Sequence, residues 1–350
     1  MMHSFTKTIS AACFILSAIA QQCFANETVG VREMTLASPQ RGRELAATVW
    51  YPASEGGSRQ VLGETALFIG TPAMRDAPMA DGRYPVILLS HGAGIAGTPA
   101  GVSWLAAPLA QHGFIVAAPT HPGNGGPDKS AAETMKLWLR PGDISATLDA
   151  IGRTAFFGPH IVPEKVGMLG LSMGGSTALA LAGARFDADR LAGYCDTDAS
   201  NHSLCQWVRM SGVDLHAVDM GQAGESRKDP RIHFIMAVDP APMDVLRPDS
   251  FPEIDGPIAI LNLGRVADLP PTVRADSAAR LMRHASYSVI EDASHFSMFA
   301  ECKPVAAETV LAEIGEPICS DGEGRSRKEI HKQIINTVMQ AFDQMLRRAR

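Results

Sequence analysis

Aromatic residues make up only 6% of the 350-residue chain, including four tryptophans and four tyrosines. Basic residues are fewer than acidic ones, 31 against 37, giving a formal charge of −6 with histidine neutral. No basic block interleaved with aromatics supplies a phosphate-binding face or a base-stacking platform, so nucleic acid is not an expected partner. Beyond the first 25 residues no apolar run has the length of a membrane span. Glycine and proline, 32 and 23, are frequent but not periodic, which excludes collagen-like and wholly disordered chains. HExxH, CxxC and the phosphate-loop pattern are all missing, so neither a metal nor a nucleotide cofactor is expected.

What remains is a chain with 46% hydrophobic residues, long enough to bury a sizeable core. Residues 1–25 read as a secretory signal. Lys7 gives a short positive start, residues 9–20 are nearly all apolar or small, and Cys23-Phe24-Ala25 ends on a small residue. Cleavage after Ala25 leaves four of the six cysteines, in two local pairs ten and seventeen residues apart. An exported chain with an even count favours disulfides, and of the three formal connectivities Cys195–Cys205 and Cys302–Cys319 are expected. The protein is therefore expected in the periplasm or outside the cell, without a stable membrane span.

Apolar strand-like segments fall at 44–52, 84–90, 114–119, 166–172, 233–239, 257–264 and 287–292, separated by helical stretches such as 141–157 and 328–347. This alternation predicts an α/β fold with a mostly parallel central sheet covered by helices on both faces, as one domain over 26–350. Residues 53–83 read as turn-rich. Residues 187–230 are polar and irregular, carry the first cysteine pair, and read as an insertion outside the sheet.

The strongest local signal is Gly170-Leu171-Ser172-Met173-Gly174-Gly175, a GxSxG pattern between an apolar strand and a small-residue helix. In that context the serine occupies a sharp strand-to-helix turn that lifts its hydroxyl above the sheet edge. Ser90-His91-Gly92-Ala93-Gly94 follows an earlier strand, where the second oxyanion donor is supplied. The expected hole is formed by the backbone N–H groups of Met173 and Ala93, with Gly92 as the alternative. The general base should come late, after the last strand, and His295 in Ala293-Ser294-His295-Phe296 fits. His284 precedes that strand, and His331 lies in a helix and is expected at the surface. Asp239, ending HFIMAVD, is the first choice for the acid. Asp268, after PIAILNLG, is the alternative, offset by one residue from the usual spacing. His91 and His121 read as loop supports, Asp143 as a helix cap or arginine partner, and Met173 and Met298 as residues bordering the pocket or ordinary core.

With SHGAG at 90–94, GLSMGG at 170–175, AVDPA at 237–241 and SHFSMF at 294–299, the chain resembles the bacterial dienelactone-hydrolase-like proteins related to platelet-activating-factor acetylhydrolase. These belong to the α/β-hydrolase superfamily. The resemblance extends over roughly residues 44–347 and implies a cofactor-free serine esterase with Ser172, Asp239 and His295 as triad and Ala93 and Met173 as oxyanion donors. The implied substrate is a small-molecule or lipid-like ester of short to medium acyl chain. Two features depart from the family: the 187–230 segment, and a serine where true dienelactone hydrolases use cysteine. Amides, thioesters, polyesters and an inactive binding protein are the other readings, and the oligomeric state is open.

Overall fold

The computed structural model describes residues 28–347 apart from 126, 127 and 323, so the leader expected at residues 1–25 lies outside the described residues. Ten strands among them form one sheet: β1 (Thr28–Ser38), β2 (Arg43–Ala53), β3 (Ser58–Leu62), β4 (Thr71–Arg75), β5 (Tyr84–Ser90), β6 (Ile115–Pro119), β7 (Ile161–Leu171), β8 (Phe234–Val238), β9 (Ile258–Leu263) and β10 (Ala285–Ile290). Their order is β10-β9-β8-β7-β5-β6-β2-β1-β4-β3. From β10 to β6 every neighbouring pair is parallel. Beyond β6 the sheet turns antiparallel through β2 and β1. The helices are α1 (Ser103–Gln111), α2 (Ala131–Met135), α3 (Arg140–Arg153), α4 (Met173–Ala182), α5 (Ala188–Ala192), α6 (His202–Met210), α7 (Asp276–Leu281), α8 (Pro304–Ile314) and α9 (Arg327–Phe342).

Side-chain alternation divides the core between the two faces of the sheet. In β5, Val86 and Leu88 join α3 and α4 through Ile144 and Leu179, whereas Ile87 and Leu89 join α1 and α9 through Leu105 and Val338. Both faces of the parallel strands are covered, which is why β5, β6 and β8 read as unbroken apolar runs. The chain steps from β5 to β6 on one side and returns to place β7 on the other. The loops after β5 and β7 therefore diverge and open a crevice at the carboxyl ends of the strands.

Three parts differ from the sequence reading. The eleven-residue β1 has no counterpart among the expected strands; it pairs with β2 along its whole length and has buried residues on one side only over much of it. The stretch that reads as turn-rich contains the short hairpin β3–β4, whose pattern is too brief and mixed to show a period. His331 is buried rather than at the surface: Arg327, His331, Ile334, Val338 and Phe342 form one helical stripe turned inward. Its ring stacks on Trp104 at 3.6 Å, and Nε2 donates to the carbonyls of Ser297 and Phe299 at 3.0 Å each.

Candidate active site

Ser172 stands alone between the end of β7 and the first residue of α4, with φ of 53° and ψ of −119°. That positive-φ conformation is costly for a residue with a β-carbon, on the order of 1–3 kcal/mol. The surrounding backbone holds it. Ser172 N–H donates to Val238 at 3.0 Å, and its carbonyl accepts from Gly175 and Ala241 at 2.7 and 2.9 Å. Gly174 is required by contact: a β-carbon there would lie 1.9 Å from the carbonyl oxygen of Ser90. α4 consequently packs directly on the loop that comes after β5.

Asp239 occupies the equivalent place one strand further on, after β8, also with positive φ, 45°. The 3₁₀ turn His295–Met298 comes after β10 and begins with the histidine. These loops meet above the sheet edge. Ser172 Oγ lies 3.0 Å from His295 Nε2, and His295 Nδ1 lies 2.5 Å from Asp239 Oδ2. Asp239 is fully buried. Its other oxygen accepts from Asn262 Nδ2 at 2.7 Å and from Leu263 N–H at 2.9 Å. Asn262, buried in β9, is itself satisfied: its amide nitrogen also donates to Val273 O, and its oxygen accepts from Ala275 N–H and Tyr287 O–H. His331 secures the His295 turn from the opposite side through Ser297 and Phe299. Asp268 lies exposed on the cavity wall, and the imidazole bonds to Asp239 instead.

A cavity of about 1070 Å³ opens over Ser172 and His295. Ala93 and Met173 line it beside the serine. Met173 opens α4 and Ala93 precedes the 3₁₀ turn Gly94–Ala96, so neither N–H has an intrahelical acceptor. Gly92 is close enough that a β-carbon there would lie 3.2 Å from Ser172 Cβ. Met298 is absent from the lining and belongs to the core under α1 and α9. The cysteines are joined as Cys195–Cys205, tying the segment after α5 to α6, and Cys302–Cys319, spanning α8. Among the described residues no group of three or more histidine, cysteine, aspartate or glutamate side chains is arranged to hold a metal ion.

The family model described as Chlorophyllase matches residues 64–192, which include the loop after β5 and the serine turn but stop short of Asp239 and His295. The solved ferulic acid esterase from Streptomyces cinnamoneus is similar over 93% of this chain and 92% of its own, with a TM-score of 0.60 at 17% identity. The chain has the α/β-hydrolase fold. Also similar are the Pyrococcus horikoshii acylaminoacyl peptidase (TM-score 0.51, 10% identity, 93% of this chain and 43% of that one) and the Anabaena variabilis dienelactone hydrolase (0.48, 14%, 90% and 97%). No curated protein matches the sequence.

The same fold contains a second Ser–His–Asp chain, closed to solvent. Ser90 Oγ lies 2.9 Å from His121 Nε2, and His121 Nδ1 lies 2.9 Å from Asp143 Oδ2. All three are at most 1% exposed and none lines the cavity. Asp143 also pairs with the enclosed guanidinium of Arg41 at 2.8 Å. His121 N–H donates to His91 Nε2, whose own Nδ1–H reaches Gly92 O. Burial holds both imidazoles well below their ordinary pKa, reinforced at His91 by His121 and Arg140 and at His121 by Arg140 and Arg41. The neutral tautomers satisfy every one of these bonds. Arg140 then donates to Ser90 Oγ and His91 O from one side and to Thr177 of α4 from the other. The network thus fixes the loop carrying Gly92 and Ala93 against the helix that begins at Met173. His91 and His121 stand where loop supports are expected, and Asp143 where an arginine partner is; Arg41, Arg140 and Asn262 carry no sequence signal that singles them out.

Proposed function

We propose that this α/β-hydrolase cleaves carboxylic esters of short to medium acyl chain through a Ser172–His295–Asp239 triad and an acyl-enzyme intermediate. The observation that carries the reading is the unbroken hydrogen-bonded chain from Ser172 through His295 to the buried Asp239, open to a cavity at its serine end. His295 Nε2 takes the serine proton as Oγ attacks the ester carbonyl. Asp239 holds the imidazole with Nδ1 protonated and stabilises the imidazolium that forms. The N–H groups of Ala93 and Met173 receive the oxyanion, and the positive end of α4 adds to its stabilisation. The imidazolium gives its proton to the departing alkoxide. Water, deprotonated by the same histidine, then releases the acid and restores the serine.

The substrate is a small-molecule or lipid-like ester, as the ferulic acid esterase likeness and the partly apolar cavity suggest. The site of action is the periplasm or the extracellular medium. Two disulfides favour an oxidising compartment, and among the described residues no helix is long and apolar enough to cross a membrane. Initial rates on p-nitrophenyl esters from acetate to dodecanoate test the proposal, with Ser172→Ala as the control. Serine-dependent turnover with a short-to-medium optimum is expected. A dodecanoate optimum would overturn the chain-length assignment, and turnover equal to the Ser172→Ala control at every length would overturn the esterase reading itself.

A further inference from the structure

The polar segment between α4 and β8 does more than pack. α6 is amphipathic in an unusual way. Cys205 and Val208, one turn apart, are buried toward the core, while Leu204 and Trp207 on the adjoining face line the cavity. Met210 ends the helix at the cavity rim, 79% exposed, and Ile95 stands on the same rim from the loop after β5, 52% exposed. The helix is fixed in place at both ends. Asn201 caps it by accepting from Leu204 N–H, Cys205 is bonded to Cys195, and Arg209 pairs with Asp198. Lys129, from the loop after β6, brings its ammonium 5.5 Å from the centroid of the Trp207 ring. Two separate segments therefore meet across the cavity.

The cavity, about 1070 Å³, is at the upper end of what an enclosed drug-sized ligand needs, roughly 300–1,000 Å³. A short acyl group fills a small part of that space. We propose that α6 is the specificity wall for the alcohol side of the ester, and that the preferred substrates join a short acyl group to a bulky, apolar, ring-bearing alcohol whose ring lies against Trp207 between Ile95 and Met210. This rests on the ester-hydrolase reading above. The remaining tryptophans, Trp50, Trp104 and Trp138, are buried in the core, so Trp207 is the indole available to a ligand. An aromatic face together with an exposed thioether suits a flat apolar group and gives a hydrated small alcohol nothing to bind.

The test compares 2-naphthyl acetate with ethyl acetate. Both give the same acetyl-enzyme, and their difference in leaving-group reactivity is common to all variants, so a change in the ratio of their kcat/KM values between variants reports recognition of the alcohol. With purified, disulfide-intact protein, Trp207→Ala is expected to lower the ratio of kcat/KM for 2-naphthyl over ethyl acetate by about 10–100-fold, the discrimination an apolar pocket contact provides. Met210→Glu changes an exposed side chain and places a charge on the rim; it should lower the same ratio with the fold intact. A ratio unchanged in both variants overturns the proposal, as does methyl 2-naphthoate, with the ring on the acyl side, proving the better substrate. If the parent protein hydrolyses none of these esters in a Ser172-dependent way, the ester-hydrolase reading has failed, and the wall is still tested by binding. 2-Naphthyl acetate titrated into Ser172→Ala protein should then bind about 10–100-fold more weakly once Trp207→Ala is added, and equal affinities would overturn it.

Discussion

Replacing Asp239 by asparagine exchanges one oxygen for an NH₂ group, and the surrounding hydrogen bonds decide how the site responds. Asp239 Oδ1 accepts from two fixed donors, Asn262 Nδ2 at 2.7 Å and Leu263 N–H at 2.9 Å, while Oδ2 faces His295 Nδ1 at 2.5 Å. An asparagine must keep its oxygen toward the two donors, because an NH₂ group there would leave both unmatched in a buried site. Its NH₂ is then turned to Nδ1, which must accept. The imidazole proton moves to Nε2, the nitrogen 3.0 Å from Ser172 Oγ. A base protonated on that nitrogen cannot take the serine proton. The expected loss in kcat is about 10⁴-fold, the scale of a wrong tautomer in a serine triad, or about 5 kcal/mol of transition-state stabilisation. Asp268→Asn, exposed on the cavity wall, should stay within about threefold, far below the loss from a wrong tautomer. Initial rates on p-nitrophenyl acetate compare the two variants. Asp239→Asn within about tenfold of the parent, or Asp268→Asn as the crippled variant, would refute the reasoning.

Gly92→Ala places a β-carbon 3.2 Å from Ser172 Cβ and 3.6 Å from its Oγ; displacing the nucleophile should cost about 10²-fold in kcat/KM, and full activity would show that the loop yields freely. Asp143→Ala removes the carboxylate partner of His121 and the nearer of the two carboxylates on the enclosed Arg41, which keeps Glu133 at 3.4 Å; chemical denaturation should show a loss of about 3 kcal/mol, the lower end for a broken buried pair, while Asp249→Ala, from an exposed pair, should leave the midpoint nearly unchanged. Burial depresses His331 from 6.5 to about 4, so the unfolded chain binds a proton that the folded one refuses. Its contribution is complete above pH 6.5, is lost as pH falls toward 4, and is flat below that, a change of at most about 3 kcal/mol. His91 and His121 act in the same direction. Denaturation midpoints for His331→Gln should therefore fall less steeply across this window, and a slope equal to the parent's would contradict the assignment.

Much of this architecture is legible in the sequence because its signals are local. The parallel strands are buried on both faces and announce themselves as apolar runs, and the serine turn is written in six consecutive residues. His295 and Asp239 stand out by their position after strand ends, which the order of an α/β chain constrains. The parts that escape are those whose reason is distant in sequence. Asn262 is a polar residue inside an apolar strand, and only the pairing of β8 with β9 shows that it supports Asp239. Arg140 and Arg41 read as ordinary cations until the fold buries them around Asp143. His331 reads as exposed because its stripe includes Arg327, which is itself drawn inward to the carbonyls of Phe299, Ala300 and Ile318. Likewise, the composition of residues 187–230 marks them as outside the sheet, but the pattern alone does not reveal that Leu204 and Trp207 face the cavity.

The central claim is that Ser172 is a nucleophile activated by His295. Treating the protein with a fluorophosphonate and mapping the adduct by peptide mass spectrometry tests it most directly. The account predicts a single stoichiometric phosphonyl adduct on Ser172, absent in Ser172→Ala and slowed by orders of magnitude in His295→Ala, with Ser90 unmodified in all three. An unlabelled Ser172 in the folded protein, or labelling that persists at the parent's rate without His295, would contradict it.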